Sequence, residues 1–149
     1  MAEGFQGFRS FAPTGWEPPA VEQEVELVRS LMAAGDMWCV VAEHGGAMAG
    51  HVAFIPAAAG FAPVNDARLA HFRQLFVEPE WWGSGLARRL HAMAIAAAVE
   101  QGYSAMRLFT PAGQARARRF YEREGWRQDG ESRDAAAGLL TVEYRLRLP

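Results

Sequence analysis

The chain has no lysine: all 15 of its Lys-plus-Arg residues are arginine. That composition is expected of a GC-rich bacterial genome and specifies no mechanism by itself. With one cysteine, Cys39, no intramolecular disulfide can form, which suits a reducing cytosol. The start, Met1-Ala2-Glu3-Gly4, lacks the basic-then-apolar pattern of a secretory leader. No apolar run reaches the roughly 18–20 residues that a membrane helix needs. A net charge of −2 and a pI near 6.1 give no general attraction to nucleic acid or to an anionic membrane. The four histidines show no H-x-x-x-H spacing and no cysteine partner, so no metal site is expected. These absences lead to the expectation of a cytoplasmic protein without membrane or nucleic-acid partners.

What is present is enough apolar sequence for one core. Hydrophobic residues make up 50% of the 149, which suits a single domain over residues 1–149. Residues 1–19, rich in Gly, Pro and aromatics, read as irregular, with a short strand at Phe8–Phe11. Val21, Val25, Val28 and Met32 fall at helical spacing after Pro18-Pro19 and before Gly35. Met37–Ala42 and Ala47–Ile55 read as a hairpin around Gly45-Gly46, and residues 56–69 as a loop. Ala70–Val77 is a strand interrupted by His71, Arg73 and Gln74. Leu86–Gln101 is a helix with a stripe of Leu86, Leu90, Met93 and Ala97, closed by Gly102. A strand at Ala105–Thr110, a helix at Gln114–Glu124 and two last strands complete an α/β order with a sheet of mixed direction.

The connection from Val77 to the helix beginning at Leu86 is the most informative segment. Glycines at Gly83 and Gly85 let several N–H groups converge where a helix begins, an arrangement suited to phosphate. An isolated G-x-G is more often only a compact turn. Arg88 and Arg89, however, stand in the first helical turn, where cations oppose the macrodipole. A multiply charged anion at that terminus would reverse the sign of the interaction. Arg116, Arg119 and Arg123 recur along one face of the last helix, either as a solvated stripe or, in part, against a phosphate.

The run L-F-V-E-P-E-W-W-G-S-G-L-A resembles the acyl-CoA motif of the Gcn5-related N-acetyltransferase superfamily. The later run R-L-F-T-P-A-G-Q-A-R-A-R-R-F-Y-E-R-E-G-W resembles that family's second motif. The resemblance covers residues 20–148. It implies the acyl-CoA N-acyltransferase fold: a mixed, mostly antiparallel sheet with splayed central strands flanked by helices. It implies acetyl-CoA as co-substrate. The backbone of Leu75, Phe76 and Val77 would pair with the pantetheine arm, and the amides of Gly83, Ser84, Gly85, Leu86, Ala87 and Arg88 would hold the pyrophosphate. Gln114 occupies the place of a family Asn on the pantetheine side. Tyr121 matches the tyrosine that protonates the departing thiolate, and Ala117 and Phe120 match packing positions. Trp82 stands where Arg or Gln is usual, and the family's first strand is short or missing before residue 20.

Attack of an amine on a thioester needs a base for the ammonium proton and an acid for the thiolate. An oxyanion donor is expected from the backbone near Phe76 or Val77. Ala70–Val77 carries no carboxylate, so His71, with an unperturbed pKa near 6.5, is the expected base. His51, water or an acid from elsewhere are the alternatives. His44 and His91 are expected to face solvent, and Cys39 to be core rather than nucleophile. The expected activity is acetyl transfer to a primary amine of a small molecule or protein by direct attack. A non-catalytic acyl-CoA-binding sensor or partner domain is the alternative. Beyond the amine substrate, a second copy of the chain in a homodimer is left open. A nucleotide-binding fold is disfavoured, because the chain has no P-loop lysine.

Overall fold

The structure, a computed structural model, describes residues 7–10, 12–18, 20–132 and 138–149. Its helices are α1 (Val21–Ala34), α2 (Leu86–Glu100) and α3 (Ala115–Arg123). Its strands are β1 (Trp38–His44), β2 (Ala47–Pro56), β3 (Leu69–Val77), β4 (Ala105–Pro111), β5 (Arg127–Ser132) and β6 (Thr141–Arg147). The expected strand at Phe8–Phe11 is not formed: Gly7–Ser10 is a 3₁₀ turn, and Phe11 lies outside the described residues.

Local chemistry accounts for most boundaries. α1 carries Glu22 and Glu24 in its first turn, where acids complement the helix dipole. It stops at Gly35, whose left-handed φ of 75° lets the amides of Gly35 and Asp36 reach the carbonyls of Met32 and Leu31. Gly45 and Gly46, both at positive φ, supply the twist that joins β1 to β2. The sheet runs β1-β2-β3-β4-β6-β5, and every neighbouring pair is antiparallel except β3 with β4. A parallel pair requires a crossover, and α2 provides it.

The main core lies where α2 meets the sheet. Leu90, Ala94 and Ala98, at successive i+4 positions, press on Phe54, Ala70 and Phe72. The two alanines have no exposed surface, which brings helix and strands close together. Truncating Leu90 to Ala here would cost about 2–5 kcal/mol. The core then continues beneath α3 through Leu108, Tyr144, Tyr121 and Trp126.

Helix faces are rotated from the expected stripes. Met93 and Met32 are exposed, while His91, expected at the surface, is inside. The fully buried α2 positions are Leu90, Ala94 and Ala98, and His91 shares their side. On α1 the inward position after Val28 is Leu31, not Met32. Cys39 is exposed on edge strand β1, not in the core. No helix among the described residues is long and apolar enough to cross a membrane.

Candidate active site

The sheet opens between its two parallel strands. β3 and β4 pair only at Leu69↔Ala105, Ala70↔Met106 and His71↔Arg107. Beyond that rung β3 stays paired to β2 as far as Gly50↔Val77, and β4 to β6 as far as Pro111↔Thr141. The strands therefore diverge, leaving the facing backbone edges of Phe72–Val77 and Leu108–Pro111 without a strand partner. An extended chain entering this wedge can be held by strand-like hydrogen bonds. Leu75, Phe76 and Val77 form its β3 wall. β3 also carries a bulge: Phe54 pairs with Phe72 and Ala53 with Gln74, so Arg73 is the extra residue. Bulges bend the strand that contains them.

The glycine turn stands at the end of the β3 wall. A 3₁₀ turn at Pro79–Trp81 leads into Gly83 (φ 81°) and Gly85 (φ 84°), and Gly85 is the N-cap of α2. Ser84 Oγ donates to Trp81 O (2.6 Å) and accepts from the Leu86 amide (3.3 Å). Among the described residues no acceptor meets the amides of Gly83, Gly85, Ala87 and Arg88. A Cβ built at Gly83 or Gly85 would meet nothing within 4 Å, so positive φ, not crowding within the protein, calls for glycine. No acidic residue occupies the first turn of α2. The terminus offers open donors to an anion. Arg88 is 78% exposed and its Nε lies 3.7 Å from Glu124 Oε1, so its charge is partly answered from the end of α3. Arg89 lies on the β1 side, lining with Val40, Trp81 and Met93 a groove of about 440 Å³.

The β4 wall passes into α3. Gln114, at the N-cap position, accepts from Thr110 Oγ1 through Oε1 at 3.0 Å. Tyr121 is 8% exposed, and its ring centroid lies 6.2 Å from Phe72, the first β3 residue past the last β3–β4 rung. Phe120, Trp126 and Tyr144 surround the same ring at 5.5, 5.9 and 6.4 Å. Burial pushes the phenol's pKa up, so it holds its proton at neutral pH. Such a group can donate a proton but cannot serve as a base.

The histidines differ from expectation. His71 is 5% exposed, lies against Gly60 and Phe109, and leaves Nδ1 without a partner among the described residues. Burial, then the charges of Arg107 and Arg73, lower its pKa to about 3. An imidazole so reluctant to accept a proton is a poor general base at neutral pH, which corrects the role expected of it. Alternation along β3 also turns His71 away from Phe72 and hence from Tyr121. His51 is half-buried on β2, opposite Phe76, with ring centroids 5.7 Å apart. Burial lowers its pKa, and a hydrogen bond with Gln74 opposes that shift. His91 is 5% exposed; the Trp126 indole donates to its Nε2 at 2.9 Å, and its Nδ1 lies 3.9 Å from Glu124 Oε2.

The acetyltransferase (GNAT) domain model matches residues 10–148 of this chain. The chain belongs to the GNAT acetyltransferase family. Its fold is similar to that of a GNAT-family acetyltransferase, described as putative, from Desulfovibrio desulfuricans (26% identity, 91% of this chain and 86% of that one, TM-score 0.73). It is also similar to a GNAT family acetyltransferase from Elizabethkingia anophelis with acetyl-CoA bound (13% identity, 92% and 95% covered, TM-score 0.67). A third similar structure is the PaiA N-acetyltransferase from Thermoplasma acidophilum in complex with coenzyme A (16% identity, 82% and 69% covered, TM-score 0.60). No curated protein gives a significant match.

In this GNAT domain one residue missed from sequence is Glu24. Its Oε1 accepts from the Arg73 guanidinium and from Gln74 Nε2 (3.3 Å), tying α1 to the β3 bulge. A signal existed: Glu24 shares the helical face of Val21, Val25 and Val28, where a charge is out of place without a buried partner. Arg107 was missed as well. Fully buried, it donates to the carbonyls of Ala57 (3.1 Å) and Phe61 (2.8 Å), fixing the loop between β2 and β3. Among the described residues no group of three or more His, Cys, Asp or Glu is placed to hold a metal.

Proposed function

We propose that this chain transfers the acetyl group of acetyl-CoA to a primary amine of a small molecule or protein. The observation that supports this best is the wedge between β3 and β4 with the uncapped start of α2 at its end. In this reading the pantetheine arm pairs with the edge at Leu75, Phe76 and Val77. The pyrophosphate accepts from the open amides of Gly83, Gly85, Ala87 and Arg88. Those of Ser84 and Leu86, also expected to hold it, are engaged by Trp81 O (3.2 Å) and Ser84 Oγ (3.3 Å). Gln114 contacts the arm from the β4 wall. The amine nitrogen attacks the thioester carbonyl, and a β3 amide near Phe76 or Val77 stabilises the oxyanion. The C–S bond then breaks as the sulfur takes the phenolic proton of Tyr121. The amine's own proton leaves toward His51, neutral at pH 7 and linked through Gln74 to Glu24.

A second reading, an acyl-CoA-binding domain without turnover, draws support from β3, which carries no carboxylate and whose histidine is a poor base. Both readings require coenzyme A binding. A ligand at 100 times its dissociation constant stabilises by about 2.7 kcal/mol. Saturating CoA should therefore raise the melting temperature, and an unchanged melting curve would remove both. Release of free thiol from acetyl-CoA in the presence of an accepted amine separates the enzyme from the binding module.

A further inference from the structure

Trp82 is 54% exposed, yet it is held at both ends. Its Nε1–H donates to Val77 O at 2.9 Å, at the last residue of the β3 wall. The guanidinium carbon of Arg116 lies 3.6 Å from the centre of its ring. Arg116 belongs to the first turn of α3, which follows directly from the β4 wall. The stack therefore reaches from one wall of the wedge to the other, beside the open amides that precede α2.

The charge on Arg116 has no carboxylate opposite it among the described residues, whereas Arg88 has Glu124 and Arg73 has Glu24. α3 also has no acid in its first turn, so a cation there opposes the helix dipole without local compensation. A guanidinium held over an indole is attracted through the ring's face and keeps its N–H donors for other partners. Such a group is prepared to donate to phosphate oxygens.

Resting on the acyl-CoA reading above, we infer that Trp82 and Arg116 form a clamp. The indole holds the guanidinium across the mouth of the wedge, where it donates to a phosphate of the coenzyme's nucleotide half. Trp82 replaces the Arg or Gln usual at this position, and the cation is supplied instead from α3. What the clamp adds to affinity comes through the nucleotide half of the co-substrate, whereas the pantetheine half is held separately by the β3 edge.

Calorimetric titration of full-length protein with CoA, dephospho-CoA and pantetheine tests this. Trp82→Ala and Arg116→Ala should each weaken CoA binding about tenfold, as expected for one charged hydrogen bond. The double variant should be no worse than either single one, because the two residues act as a unit. Pantetheine binding should not change. Trp82→Arg combined with Arg116→Ala should restore CoA affinity by placing a guanidinium on the turn itself. A penalty that persists with dephospho-CoA assigns the contact to the diphosphate, and one that vanishes assigns it to the 3′-phosphate. Unchanged or tighter CoA binding in the single variants overturns the clamp, as does equal weakening of CoA and pantetheine. Wild-type protein that binds no CoA overturns the clamp and the acyl-CoA reading together, whereas CoA binding indifferent to both residues removes the clamp alone.

Discussion

Lowering the pH from 8 to 5 should weaken the fold in a way that traces to His71. Its pKa is about 3 in the folded chain, against about 6.5 for an exposed imidazole. The unfolded chain takes up the proton as pH falls through 6.5, while the native state refuses it until about pH 3. Stability from this group is therefore complete above pH 7 and declines across the window between these two values. At pH 5 the loss is about 2 kcal/mol, from 1.36 kcal/mol per pKa unit. At this chain length that corresponds to a fall in melting temperature of roughly 4–8 °C. Carboxylates protonate in the same range, so the wild-type slope alone does not isolate the effect. His71→Gln removes the titration while keeping a polar side chain, and its melting temperature should fall less between pH 8 and 5 by about that amount. Parallel pH profiles for the two proteins would refute the buried, neutral imidazole.

Gly85→Val forces a β-branched residue to φ 84°, at about 1–2 kcal/mol of backbone strain, and presents methyls where the open amides converge. Circular dichroism should be unchanged while CoA affinity, read by calorimetry, falls at least about tenfold; a smaller loss would mean that the turn is not the phosphate site. Tyr121→Phe keeps the ring among Phe72, Phe120, Trp126 and Tyr144, so stability and CoA affinity should hold. With an accepted amine, kcat should drop about 10²–10⁴-fold at unchanged KM, and full kcat would make the phenol packing only. Arg107→Met cuts the ties to Ala57 and Phe61. Proteolysis within residues 57–68 should then accelerate, and an unchanged rate would show the loop held by other contacts.

The features legible in the sequence are those set by neighbouring residues. Gly35, Gly45-Gly46, Gly83 and Gly85 all adopt the positive φ that their positions suggest, so the boundaries they mark stand within a few residues. What depends on distant partners was not legible. His91 looks like a surface residue on a helix, but the indole of Trp126 and the carboxylate of Glu124 arrive from after Tyr121 and bury it. Met93 and Met32 are apolar yet exposed, because Ala94 and Leu31 take the inward positions. His71 has an ordinary pKa until Gly60 and Arg107, from two other segments, exclude water and add positive charge. The wedge itself is an absence of pairing after His71↔Arg107. No residue pattern encodes it directly, and only the family resemblance foretold it.

Acetyl transfer is tested most directly by following thiol release from acetyl-CoA with purified full-length protein across a panel of primary amines. The panel should include polyamines, amino acids, aminoglycosides and peptides with free N-termini, each compared with an amine-free control. At least one amine should accelerate release in proportion to enzyme, with the acetylated amine recovered in equal amount. Tight CoA binding with no amine raising the rate above that control would contradict catalysis and leave a binding domain.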